Sequence, residues 1–151
     1  MAAKRPFDVK LCVLCEDIRD ELHNKHSLIG VYSGDILVSE IPASISLAFY
    51  LEIEPKRVGD FDLQFRLSGP AADASAVLNA RVGITNASGV SILRTPRIEL
   101  GITEAGTFRF DMSLDRESWT NLVTKTISLM SGSTVSPQPS EQSPSAAPAS
   151  S

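Results

Sequence analysis

Cysteine, histidine and tryptophan are scarce in this chain, with two, two and one among 151 residues. Cys12 and Cys15 lie three positions apart in a segment that alternates like a strand, so their side chains project to opposite faces and do not bridge. A domain of this size buries enough surface to fold without staples. Long apolar runs are also missing: uncharged stretches such as Val82 to Leu93 are too short and too polar to cross a bilayer, which takes about 20 apolar residues. The opening MAAKRPFDVKL has basic residues but no apolar core before charge returns, so it does not read as a secretory leader. With neither disulfide nor leader expected, the sequence points to the reducing cytoplasm and to no membrane.

An excess of positive charge is absent as well. Lysine and arginine number 14 against 18 acidic residues, giving a formal charge of −4 and a pI near 5.1. Nucleic-acid affinity rests largely on neutralising phosphates with basic side chains, so general nucleic-acid binding is not expected. Nor does the sequence contain a glycine-rich phosphate cradle, a specified nucleophile or a paired-carboxylate cleft.

What is present is alternation with a period of two. Phe7, Val9, Leu11 and Val13 alternate with Asp8, Lys10, Cys12 and Leu14, predicting a first strand with the first set facing a core. Ile45, Leu47, Phe49, Leu51 and Ile53 face one way against Ser46, Ala48, Tyr50 and Glu52, and Phe61, Leu63, Phe65 and Leu67 repeat the pattern. A loop containing Pro55 and Gly59 separates these two, and the pair predicts an antiparallel hairpin. Further strands are predicted over His26 to Tyr32, Asp35 to Val38, Ala76 to Thr85, Val90 to Leu93, Arg97 to Ile102, Phe108 to Leu114 and from Val123 onward. Pro96 belongs at an edge or bend, because it cannot donate to a ladder. Asp115 is placed to cap a short turn before Trp119.

About eight short strands with turn signals every ten or so residues, and no convincing long helix, predict an all-β fold over residues 1–130: a single antiparallel β-sandwich, immunoglobulin-like or related. Residues 131–151 are mostly Ser, Pro and Ala. Such a segment cannot bury enough surface to offset its ordering entropy, so a disordered tail or spacer is expected.

The stretch from Leu14 to Val38 concentrates charge and holds both histidines. It reads as strand, charged connection, strand, with Asn24 suited to a turn and Gly30 to a bulge or close backbone approach. Cys12, Cys15, His23 and His26 invite a zinc site, but two sulfurs on opposite faces of one strand cannot both reach a metal at about 2.3 Å. Glu16, Asp17, Asp20, Glu21 and Asp35 carry enough carboxylate for a hard cation, yet Arg19 and Lys25 interrupt them and the EF-hand spacing is missing. With His23 or His26 the same carboxylates supply acid and base groups. A metal-dependent ligand binder or enzyme built on Glu16 to Asp35 is therefore the alternative reading. Tyr50 and Trp119 are candidate contact aromatics.

The pattern Glu16-Asp17-x-Arg19-x-Glu21-x3-Lys25-x-Ser27-Leu-Ile-Gly30-Val-Tyr resembles a bacterial and phage-associated family of small domains of unknown function. Arg19, Glu21, Lys25 and Gly30 carry the match. The resemblance implies an all-β domain and no assigned activity, with Arg19 and Glu21 as a charge pair beside the turn or as part of a partner surface. The expected function is a non-catalytic interaction or self-association module that meets a protein partner or another copy of itself, without a cofactor.

Overall fold

The computed structural model describes residues 4–71 and 75–130. The Ser/Pro/Ala tail at 131–151 and the expected boundary after residue 130 lie outside the described residues. Within them the chain is all-β: β1 Phe7–Glu21, β2 Lys25–Val31, β3 Ile36–Val38, β4 Ala43–Pro55, β5 Gly59–Ser68, β6 Ser75–Ile84, β7 Ser91–Arg94, β8 Ile98–Ile102, β9 Gly106–Ser113 and β10 Thr120–Leu129. They form two sheets, one ordered β2-β1-β4-β7 with β8 also on β4, the other β3-β10-β9-β5-β6.

The core lies where the apolar faces of β4, β5 and β9 meet. Leu47, Phe49, Leu51 and Ile53 of β4 are sealed from solvent, as are Leu67 of β5 and Phe108 and Phe110 of β9. Phe49 from the first sheet stacks on Phe110 from the second at 3.5 Å between ring centroids, and Phe110 stacks in turn on Phe65 at 5.1 Å. One aromatic column therefore joins the two layers.

Three expectations are corrected. β4 and β5 do not form a hairpin; β4 pairs with β1, β7 and β8, and β5 pairs with β6 and β9. Two strands with matching apolar faces can lie side by side or face each other across a core, and here the short 56–58 connection carries the chain between layers. Lys56 N anchors that connection by donating to Pro6 O at 2.8 Å. The two-sheet fold is also not wholly antiparallel, since β3 runs parallel to β10. Such a pair needs a long connection, and the six strands β4 to β9 lie between these two.

The third correction concerns β1. A bulge between Val9 and Leu11 shifts its register on β4, and one extra residue exchanges the two faces beyond it. Cys12 and Leu14 therefore pack toward the core while Leu11 is 45% exposed. The charged residues after Leu14 are not a connection but the second half of β1, paired with β2 from Cys15↔Val31 to Glu21↔Lys25. Only Leu22 to Asn24 turn, with His23 and Asn24 in left-handed conformation at φ 63° and 57°. Asn24 thus occupies the turn its side chain suits.

Pro96 marks the break between β7 and β8 on the same side of β4. Thr95 fills the break: its backbone N donates to Phe49 O at 3.0 Å and its hydroxyl accepts from Phe49 N at 2.9 Å.

Candidate functional site

The β1–β2 hairpin carries Arg19, Glu21, Lys25 and Gly30. Arg19 turns toward Asp17, with Nε 3.9 Å from its carboxylate, and Glu21 accepts a bond from the Ser27 hydroxyl at 2.8 Å. The Arg19–Glu21 charge pair is therefore not what these side chains make. Gly30 has φ +63°, and a Cβ there would meet the Glu16 side chain at 2.7 Å. The left-handed conformation favours glycine, while the exposed Glu16 side chain can swing aside from a Cβ. Lys25 reaches a concave surface, a groove of about 790 Å³ that passes His26, Tyr50 and Arg94 to Val82 and Ile84.

At the hairpin tip, Asp20 is clamped by Arg94 of β7 through Nη1 at 2.6 Å and Nη2 at 2.7 Å. Its Oδ1 also lies 3.1 Å from His26 Nδ1, and the His26 ring meets Tyr50 of β4 edge-on at 5.8 Å. The tip of a hairpin that leaves β4 is thereby held back against β4 and β7. Bidentate pairing of this kind fixes orientation as well as proximity. Asp20 and His26 are engaged in holding the hairpin, and among the described residues no serine or cysteine side chain is bonded to either.

Both thiols are protonated near neutral pH. Burial pushes Cys12 up to about 12, and burial likewise raises Cys15, whose Sγ lies 3.5 Å from Ala48 O. A thiolate is the form that binds metal or attacks carbon. Among the described residues, no group of three or more His, Cys, Asp and Glu side chains is placed to hold a metal ion.

A second polar cluster escaped the sequence pattern. Asp111 occupies the outward phase of β9, between Phe110 and Met112, yet it is 1% exposed. It accepts from Asn121 Nδ2 at 2.9 Å, Arg66 Nη2 at 3.0 Å and Arg109 Nη2 at 3.4 Å. Trp119 stacks on the Arg66 guanidinium at 4.2 Å. Burial raises the Asp111 carboxyl, but the bonds from Asn121 and Arg66 and the charges of Arg109 and Arg66 outweigh it and hold the group below its ordinary value. Trp119 thereby covers one face of Arg66, the partly exposed partner of a buried carboxylate. Nearby, Asp115 accepts from the backbone N of Ser118 at 2.7 Å and of Glu117 at 2.9 Å, which holds it at about 2 and caps the expected turn without a helix.

The free sheet edges differ sharply from one another. β2 has 7 residues, begins with Lys25 and carries the left-handed Gly30 next to its end; β3 has 3 residues; β7 and β8 have 4 and 5 and are parted by Pro96. Short length, kinks, lysine and proline are the usual means by which an edge is kept from pairing. β6 has none of these. Its 10 residues pair with β5 in unbroken register from Ser75↔Ser68 to Ile84↔Gly59, and among the described residues nothing pairs with its other side. Its one charged residue, Arg81, is answered within the sheet by Asp60 at 3.7 Å and Asp62 at 3.9 Å. Ala76, Leu78 and Ala80 face inward yet are only partly buried, and Val77 on the outer face is 50% exposed.

No protein-family model and no curated protein matches the chain. Among solved structures it is similar to a β-glucosidase from Listeria innocua in complex with glucose, at 12% identity and TM-score 0.43, covering 80% of this chain and 16% of that one. It is also similar to a β-glucosidase from Erythrobacter marinus, at 9% identity and TM-score 0.41, covering 81% and 15%. The chain thus spans about a sixth of the length of these enzymes, and a likeness of this depth assigns it no activity.

Proposed function

We propose that this chain is a non-catalytic protein-contact module that docks by strand addition at the free edge of β6. The observation that carries the reading is the contrast among the edges: β6 is long, regular and undefended where the others are short, kinked or parted by proline. Unpaired N–H and C=O groups along such an edge supply affinity, and side chains on its two faces supply choice of partner. The commitment of Asp20 and His26 to holding the hairpin, and the protonated state of Cys12 and Cys15, support a role without catalysis.

An immunoglobulin-like arrangement is part of the proposal. In its support, β1-β4-β7/β8 follow the order of an A-B-E sheet and β3-β10-β9-β5-β6 that of an A′-G-F-C-C′ sheet, including the parallel pairing of β3 with β10. The β1–β2 hairpin is then an insertion between the first strand and its continuation. The kinship of residues 16–32 with small bacterial and phage-associated domains belongs to the same proposal, as does a cytoplasmic location, with which the two free cysteines agree.

Hydrogen exchange tests the docking edge. Half of the β6 amides lack a partner on the free side and exchange fast in the monomer; when a strand docks, from a second copy or another protein, they become protected while β2 and β8 stay unchanged. Protection confined to the β1–β2 hairpin or to the β7 groove would move the docking surface elsewhere.

A further inference from the structure

Resting on this reading of β6, we propose that the strand it receives is β6 of a second copy, paired antiparallel about a two-fold axis through Asn79. A two-fold interface uses one patch twice, so the patch must complement itself. The outer row of β6 reads Ser75, Val77, Asn79, Arg81, Gly83. Centred on Asn79, the pairing sets Asn79 against Asn79 of the second copy, Val77 against its Arg81 and Ser75 against its Gly83.

Each of these pairs is compatible. The two arginines, the only charges in the row, stand four residues apart along the seam, about 13 Å at 3.3 Å per residue. Each keeps its own Asp60 and Asp62 and lays its aliphatic stem over the half-exposed Val77 opposite, as long cationic side chains do over apolar surface. At the centre, Asn79 Oδ1 already accepts from Gln64 at 2.8 Å. Its Nδ2 has donors to offer the amide oxygen of the other Asn79, and the two bonds are reciprocal. The row therefore places no like charges opposite each other in this register. On the inner face the partner strand covers the partly buried Ala76, Leu78 and Ala80, extending the apolar layer across the seam into one continuous sheet.

The test is the mass of the full chain in solution, by sedimentation or light scattering over a range of concentrations, with exposed Asn79 as the probe because its side chain stays out of the core. Twice 16.2 kDa is expected for the native sequence. Asn79→Lys brings two ammonium groups together on the axis and raises the dimer dissociation constant at least tenfold, with the melting temperature of the monomer preserved. Mixing Asn79→Lys with Asn79→Glu restores a dimer, now between unlike copies. Asn79→Cys forms an intermolecular disulfide on oxidation, since facing residues of antiparallel strands are about 4.5–5.5 Å apart at Cα. A monomer at all concentrations overturns the second copy as occupant; if β6 amides then become protected by another protein, strand addition itself survives. A dimer that Asn79→Lys leaves intact, or that Asn79→Cys fails to cross-link, overturns the axis.

Discussion

At the scale of single residues, the most consequential position is Asp111. A carboxylate with 1% exposure is tolerable only because three side chains bond it and two of them are cationic; both arginines reach solvent, so neutralising the carboxylate forfeits hydrogen bonds to a charged group without stranding a buried cation. Asp111→Asn is expected to cost about 1.5–3 kcal/mol at pH 7, the worth of hydrogen bonds to a charged group. The pH dependence has a definite sign. The folded-state pKa lies below the ordinary 3.8, so the stabilisation is fully present above that value and is lost as pH falls through the lowered one. Thermal melts from pH 7 to 2 should show native sequence and Asp111→Asn far apart at neutral pH and converging in acid. A constant gap across the range would mean that the charge of Asp111 is not what stabilises the fold. Alternation placed Asp111 in the solvent phase and could not reveal this network, because two of its three partners, Arg66 and Asn121, come from the neighbouring strands β5 and β10.

At the scale of elements, the β1–β2 hairpin is the piece most loosely tied to the rest, since beyond Cys15 β1 pairs only with β2. Its tip depends on Arg94 gripping Asp20. The pair is half exposed, and exposed ion pairs contribute at most about 1 kcal/mol, so its effect is local. Arg94→Ala should leave the melting temperature nearly unchanged while amide exchange over residues 20–26 accelerates; a large global loss would show that the hairpin is part of the folding core. The turn at Asn24 and the special role of Gly30 were legible in the sequence, because both follow from backbone conformations few residues adopt. The continuation of β1 through Glu16, Asp17, Arg19 and Asp20 was not, since charged residues in a strand that leaves its sheet look like a loop.

At the scale of the whole molecule, the two sheets are joined by the Phe49–Phe110–Phe65 column. Phe49→Ala removes the member contributed by the first sheet and opens a cavity at the centre, which should cost about 3–5 kcal/mol, read as a lower denaturant midpoint with the slope retained. A cost near 1 kcal/mol would mean that the layers close over the gap.

The sequence by itself determined that the fold is all-β, that Ile45 to Ile53, Phe61 to Leu67 and Phe108 to Leu114 present apolar faces to a core, and where most chain reversals fall. These follow from period-two alternation and turn chemistry, which act within a few residues. Only the tertiary structure decided that β4 and β5 face each other across the core, that β3 runs parallel to β10, that one extra residue near Lys10 turns Cys12 inward, and that β6 keeps a long edge free among the described residues. Alternation says which side of a strand is apolar and is silent on which strand lies beside it. Neighbours are settled by closing two twisted sheets on one core, to which every strand contributes at once.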